Sequence, residues 1–103
     1  MYKLNFYVPA DGKEETKKAL FNIGVGMFDN YEECSWETLG KGQFKPVNSA
    51  NPTIGEVDKL EVLDEYKVEM ICTDELISKS VETLKKTHPY EEVAYEVFKM
   101  EDF

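Results

Sequence analysis

The chain contains no arginine. All 12 basic residues among its 103 are lysine, against 21 aspartates and glutamates, and the formal net charge is −9. Nucleic-acid interfaces need a basic surface that neutralises phosphates, and arginine usually builds it. The composition therefore excludes most nucleic-acid partners. The same deficit of positive charge argues against binding to an anionic membrane surface.

Long apolar runs and cysteines are also scarce. No segment approaches the roughly 18 apolar residues of a membrane span, and the N-terminal segment has no signal-peptide core. Two cysteines, Cys34 and Cys72, are too few for a secreted disulfide scaffold. We therefore expect a cytoplasmic protein with free thiols, and the length predicts one domain over residues 1–103.

Alternation of apolar and polar residues predicts four strands. They are expected at residues 2–9, 31–47, 57–72 and 92–100. The Gly40-Lys41-Gly42 sequence predicts a hairpin turn at the end of the second strand. The third strand is longer than average, and a break is expected at 63–65, where the alternation slips.

Two helices are predicted between these strands. The first covers about residues 12–23, with Asp11 as its N-cap in a capping box and Gly24 after its C-terminus. The second has Thr73 as its N-cap and ends near Lys86 or Thr87, because Pro89 disfavours a helical conformation at His88. The order strand, helix, strand, strand, helix, strand predicts an α+β, ferredoxin-like βαββαβ sandwich with a hairpin extension between strands 2 and 3.

This fold leaves one face of the sheet uncovered by helices. Asn5, Tyr7 and Ile71 are expected on that face, together with Val97 or Phe98. A mixed face of this kind is either an ordinary solvated antiparallel face or a surface for self-association. Long strands that overhang a small core also leave unpaired backbone groups, which pairing with another copy would satisfy, so a homo-oligomer is predicted.

Few residues are candidates for metal binding, catalysis or ligand binding. His88 is the only histidine and therefore the only candidate histidine ligand for a metal, and it has no partners at metal-ligand spacing. A lone histidine before a proline is more often a turn residue that bonds to the backbone, which is the alternative here. Cys34 is either a small buried side chain or a nucleophile that would need His88 as its base. The polar loop around Asn51 is typical both of a ligand-binding loop and of ordinary turn chemistry.

Three segments carry a resemblance to a known family. The sequences GVGMFDNYEECSWETLGKGQFKP, ANPTIG and HPYEEVAYEVFKM, in that order, resemble the insert domain of the Nif-three-like (YqfO-type) dinuclear-metal-centre proteins. The resemblance covers almost the whole chain and implies a stand-alone version of that domain. The insert is in turn similar to CutA and PII proteins, which are ferredoxin-like trimers, and CutA-type proteins are linked to divalent metals.

The resemblance implies a homotrimer and a ligand site, with a divalent metal ion as a candidate cofactor. The candidate ligand-binding residues are His88, Tyr90 and Glu91 of the HPYEE motif, Asn51 of the ANP loop and Cys34 of the second strand. The chain lacks the histidines and carboxylates of the long proteins' two-metal site, and Asp29 replaces the last glycine of their glycine-rich loop. No catalytic residues are therefore assigned.

Three functional hypotheses follow. The first is a non-enzymatic module that binds a small molecule or a metal ion and has a regulatory role. The second is a protein-interaction domain that docks through its open sheet face or free edge. The third is a small metal-dependent hydrolase whose site is assembled between subunits.

Overall fold

The computed structural model describes residues 1–103 and has the predicted order of elements. The elements are β1 (Tyr2–Val8), α1 (Ala10–Asn22), β2 (Trp36–Phe44), β3 (Glu61–Cys72), α2 (Ile77–Thr87) and β4 (Tyr95–Lys99). The four strands form one antiparallel sheet in the order β2-β3-β1-β4. The α+β, ferredoxin-like arrangement predicted from the sequence is confirmed.

Both helices pack on one face of the sheet, where the core lies. The alternation of β1 directs Leu4 and Phe6 to this face, and the register places them opposite Met70 and Val68 of β3. Leu20 from α1 and Leu84 from α2 complete the fully buried layer, together with three further apolar residues, Val8, Val25 and Cys72. Neither helix is long and apolar enough to cross a membrane.

Strands β2 and β3 extend well beyond the rest of the sheet. Pairing of β1 with β3 ends at Val8 and Tyr66, whereas pairing of β2 with β3 continues to Phe44 and Glu61. We call residues 39–44 and 61–66 the β2–β3 arm. The arm accounts for the elongated shape of the molecule, which measures 46 × 26 × 23 Å.

The predicted turn and break within this arm are wrong. Gly40 and Gly42 lie inside β2, paired with Glu65 and Leu63, and the register of β3 is continuous through 61–69. The strands are joined instead by residues 45–60. Each residue of the arm is held extended by its partner strand, and this non-local pairing overrides the local preference of Gly-Lys-Gly for a turn.

The helix ends depart from expectation in detail. Asp11 makes no capping hydrogen bond, because the chain kinks at Asp11 and Gly12, where Gly12 has a φ of 98°. Gly24 follows α1 with a φ of 103°, as predicted for a residue after the C-cap. Helix α2 begins at Ile77 without a side-chain cap, after a turn in which the Leu76 N–H donates to the Thr73 carbonyl oxygen at 3.1 Å.

A compact ion cluster joins α1 to β2. The Glu37 carboxylate accepts hydrogen bonds from Lys13 at 2.6 Å and from Lys17 at 2.8 Å, and the Lys13 ammonium lies 3.9 Å from the ring centre of Tyr66. These contacts cover both lysine side chains, which are only 15% and 14% exposed. The lysine hydrogen bonds lower the pKa of Glu37, with that from Lys13 contributing most.

Candidate functional site

A cavity lies where the β2–β3 arm meets the connecting loop 45–60 and the irregular segment 88–94. It has a volume of about 280 Å³. Its apolar walls include Phe44, Pro52 and Ile54, and Glu65 and Tyr90 line it beside them. Such a mixture of apolar walls with a few polar groups is typical of small-molecule sites.

His88 holds the segment behind this cavity in place. Its Nε2 lies 2.6 Å from the carbonyl oxygen of Tyr7, and its Nδ1 lies 3.0 Å from the backbone nitrogen of Tyr90. Because the carbonyl can only accept and the N–H can only donate, the ring is the neutral tautomer with its proton on Nε2. Burial lowers the pKa of His88, in agreement with a neutral ring.

Tyr90 stands between His88 and the arm. Its ring packs edge-on against His88, with centroids 4.9 Å apart, and lies tilted beside Phe44 at 6.3 Å. Its hydroxyl oxygen is buried and has no hydrogen-bond partner. Burial raises the pKa of Tyr90, and the neighbouring Glu65 carboxylate raises it further.

Glu65 occupies space that a side chain on β2 would otherwise fill. A Cβ added at Gly42 would lie 1.9 Å from Glu65 Oε1, whereas a Cβ added at Gly40 would meet nothing within 4 Å. Gly42 therefore allows the Glu65 carboxylate to lie across the strand. Sequence reasoning missed Glu65, Gly42 and Phe44 as site residues, because only the β2–β3 register brings them to Tyr90.

Two contacts attach the ANP loop to the HPYEE segment. The backbone N–H of Asn51 donates to the Glu91 carboxylate, with 3.3 Å to Oε1 and 3.2 Å to Oε2. The Thr53 hydroxyl donates to the Pro89 carbonyl oxygen at 3.0 Å. Asn51 thus contacts Glu91 through its backbone N–H.

Cys34 lies far from this group. It precedes the first residue of β2, whereas the cavity adjoins Phe44, the last residue. Because β2 has 9 residues, its ends are roughly 26 Å apart at about 3.3 Å per residue. Cys34 lines a different depression beside Phe28 and Trp36, on the open face of the sheet. The expected convergence of Cys34 with the other four candidates therefore does not occur.

The donor set does not fit the divalent metal ion that the resemblance implies. Both ring nitrogens of His88 are engaged by the backbone. No group of three His, Cys, Asp or Glu side chains in the chain is placed to hold a metal ion. A structural or catalytic transition-metal site needs three or four such donors, so one chain provides no site of this kind.

Sequence comparison finds relatives much longer than this chain. No family model matches it. A GTP cyclohydrolase 1 type 2 homolog of Staphylococcus aureus (strain COL) is 43% identical over 90 residues, covering 87% of this chain and 25% of that protein. The homolog of Bacillus subtilis (strain 168) is 38% identical over 99 residues, covering 96% and 26%. The chain spans about a quarter of the length of these curated relatives.

Structure comparison gives a consistent result. A Bacillus cereus protein related to NIF3 superposes with a TM-score of 0.82 and 34% identity, covering 98% of this chain and 26% of that one. Pyrococcus horikoshii CutA, crystallised in the presence of 3 M guanidine hydrochloride, matches with a TM-score of 0.74 and covers 100% and 87%. Its identity is 16%, so this match shows the fold alone. The chain is therefore similar in sequence to about a quarter of the NIF3-related proteins and has a fold like that of CutA.

Proposed function

We propose that the chain is a non-enzymatic binding module that holds a small molecule in the cavity between the β2–β3 arm, loop 45–60 and segment 88–94. The observation that carries the proposal is the cavity itself. Its volume of about 280 Å³ is near the lower end of the range for ligand sites. Tyr90 and Glu91 line the cavity, Tyr90 donates its backbone N–H to His88, and Glu91 accepts the backbone N–H of Asn51, which supports these four residues as the ligand site.

The contacts around the cavity support a preorganised site. His88 fixes the backbone at Tyr90, and the Glu91 and Thr53 hydrogen bonds attach the loop to segment 88–94. A site whose walls are already held loses less conformational entropy when the ligand binds.

A regulatory role follows from the position of the cavity. Loop 45–60 connects the two strands of the β2–β3 arm, so a ligand that orders this loop also stabilises the arm. A partner that contacts the arm would then bind more tightly when the ligand is present, because the conformational entropy of the loop and arm has already been lost.

Two-dimensional ¹⁵N NMR of the full chain tests the proposal with a library of small metabolites. A ligand should shift the amides of Phe44, Thr53 and Glu91, which surround the cavity. Ala50→Phe should abolish these shifts because Ala50 lines the cavity, whereas Val47→Phe should retain them because Val47 lies outside it. Binding that is unaffected by Ala50→Phe, or a library that moves none of these amides, would contradict the proposal.

Self-association is a second candidate function, favoured by the β2–β3 arm. Beyond Tyr66 the outer edge of β3 has no partner strand, and unpaired edges are templates for pairing. Leu39 and Val62 on the arm are 56% and 53% exposed. We propose a homo-oligomer that covers this arm; the number three rests on the resemblance to CutA and PII.

Light scattering in about 0.15 M salt measures the assembly directly. Three chains of 11.9 kDa bring together a charge of about −27, which is screened beyond about 8 Å at this salt concentration. We expect about three times the chain mass, with a shift to smaller species at very low salt. Val62→Lys should dissociate the oligomer, and Val47→Lys, which adds the same charge outside the arm, should not. A monomer at tens of micromolar would contradict self-association, and a stable dimer would contradict only the trimer.

A further inference from the structure

We infer that the cavity selects a small organic cation, a protonated amine carried on a short apolar or aromatic body. This inference rests on the small-molecule function proposed above and specifies its ligand class. Three carboxylates, Glu65, Glu91 and Glu92, line the cavity, against a single lysine, Lys45. The cavity therefore carries net negative charge in a chain whose formal charge is already −9, and an anionic ligand would be repelled from it.

Glu65 is the carboxylate that most needs a cation. It is half-buried, and neither a lysine nor the N-terminal amine pairs with it. It lies across Gly42 in a wall whose other members include Phe44 and Pro46. The Tyr90 hydroxyl is its polar neighbour, but a carboxylate beside apolar groups is costly without a compensating charge, and a ligand ammonium would supply the charge that the chain does not.

The aromatic rings favour an organic cation over a bare metal ion. Phe44 and Tyr90 line the cavity together with Glu65, and their ring centroids are 6.3 Å apart, so an ammonium beside Glu65 would lie near two aromatic rings. The buried, unpartnered hydroxyl of Tyr90 adds a polar group within the same wall. Pro52 and Ile54 line the remainder and provide contact for an apolar body.

The test compares three probes of nearly equal shape by ¹⁵N NMR titration of the full chain: 2-phenylethylammonium, 2-phenylethanol and phenylacetate. We expect the ammonium to bind with a Kd on the order of 1 mM, the alcohol at least about tenfold more weakly, and phenylacetate not at all. Equal or tighter binding of the alcohol or phenylacetate at the amides of Phe44, Thr53 and Glu91 would overturn the inference and leave the small-molecule function standing. If neither these probes nor the metabolite library moves those amides, both proposals fail.

Two glycines of β2 provide a matched pair of variants. Gly42→Ala should displace the Glu65 carboxylate and weaken ammonium binding about tenfold, as should Glu65→Gln. The methyl group that Gly40→Ala adds lies on the same side of β2 as that of Gly42→Ala, and it meets no atom within 4 Å. Gly40→Ala restricts the unfolded chain as much as Gly42→Ala does. Because it does not touch Glu65, it should leave the Kd of the ammonium unchanged. Wild-type affinity for the ammonium in both Gly42→Ala and Glu65→Gln would overturn the assignment.

Discussion

His88 makes the stability of the fold depend on pH near neutrality. His88 is 6% exposed. Its Nε2–H donates to the Tyr7 carbonyl oxygen, and its Nδ1 accepts from the Tyr90 N–H. A second proton, on Nδ1, would therefore point at the donor N–H of Tyr90. Burial lowers the pKa of His88 in the folded chain below its ordinary value of 6.5. The unfolded chain therefore takes up a proton at a higher pH than the folded chain. The stability that the neutral ring contributes is fully present above about pH 6.5 and is lost as the pH falls towards the folded pKa.

Linkage sets the magnitude of this loss. Between the two pKa values one additional proton is bound by the unfolded chain, so the free energy of unfolding falls by at most about 1.4 kcal/mol per pH unit. His88→Ala should cost about 2–4 kcal/mol at about pH 7.5, because it leaves the Tyr7 carbonyl and the Tyr90 N–H without their partner. His88→Gln cannot titrate and should remove the slope between about pH 6.5 and 5.5.

Urea unfolding followed by far-UV circular dichroism, at one protein concentration, gives these free energies. Two results would refute the reasoning. One is a wild-type stability that does not change between about pH 7.5 and 5.5, and the other is a His88→Gln variant that keeps the wild-type slope. Either would mean that the folded and unfolded chains bind the His88 proton equally well.

Three further predictions concern other parts of the fold. Glu37→Gln should lower the free energy of unfolding by about 1 kcal/mol in urea titrations, and the exposed Glu14→Gln by much less. Because the lysines of α1 lower the pKa of Glu37 from 4.5, this difference should be present above that value and vanish as the pH falls through the folded pKa. Gly26→Ala should cost about 2 kcal/mol or more in thermal melts. Gly26 has a φ of 80°, and a Cβ there would lie 2.7 Å from the Cys34 carbonyl oxygen; a wild-type melting temperature would contradict this. Ellman's reagent should label Cys34 rapidly and Cys72 only after unfolding, since Cys72 is buried and burial raises its pKa; equal rates would contradict this protection.

The order of the elements could be read from the sequence because it depends on local signals. Alternation along β1 directs its even-numbered residues to one face, and Gly24 ends α1 because it accepts a positive φ. Pro89 ends α2 just before His88, as predicted. Each of these signals acts within a few residues of the chain, so no knowledge of the tertiary partner was needed.

Part of the candidate site could be predicted in the same way. The sequence identifies the HPYEE motif and the ANP loop as sources of candidate ligand-binding residues. In the structure, hydrogen bonds from Asn51 to Glu91 and from Thr53 to Pro89 join the two segments. Only the family resemblance groups Cys34 with these two segments. Nothing local encodes its distance from the motif, which is set by the length of the paired strand β2.

The cavity itself was decided by strand pairing. Gly40-Lys41-Gly42 has the composition of a turn, and only its register against β3 keeps it extended. That register lays Glu65 over Gly42 and brings it beside Tyr90, a residue of a distant segment. Local preferences amount to about 1 kcal/mol per residue, whereas a long paired arm adds many cross-strand contacts at once. Tertiary pairing therefore overrode the local turn signal and created a cavity that no stretch of the sequence specifies alone.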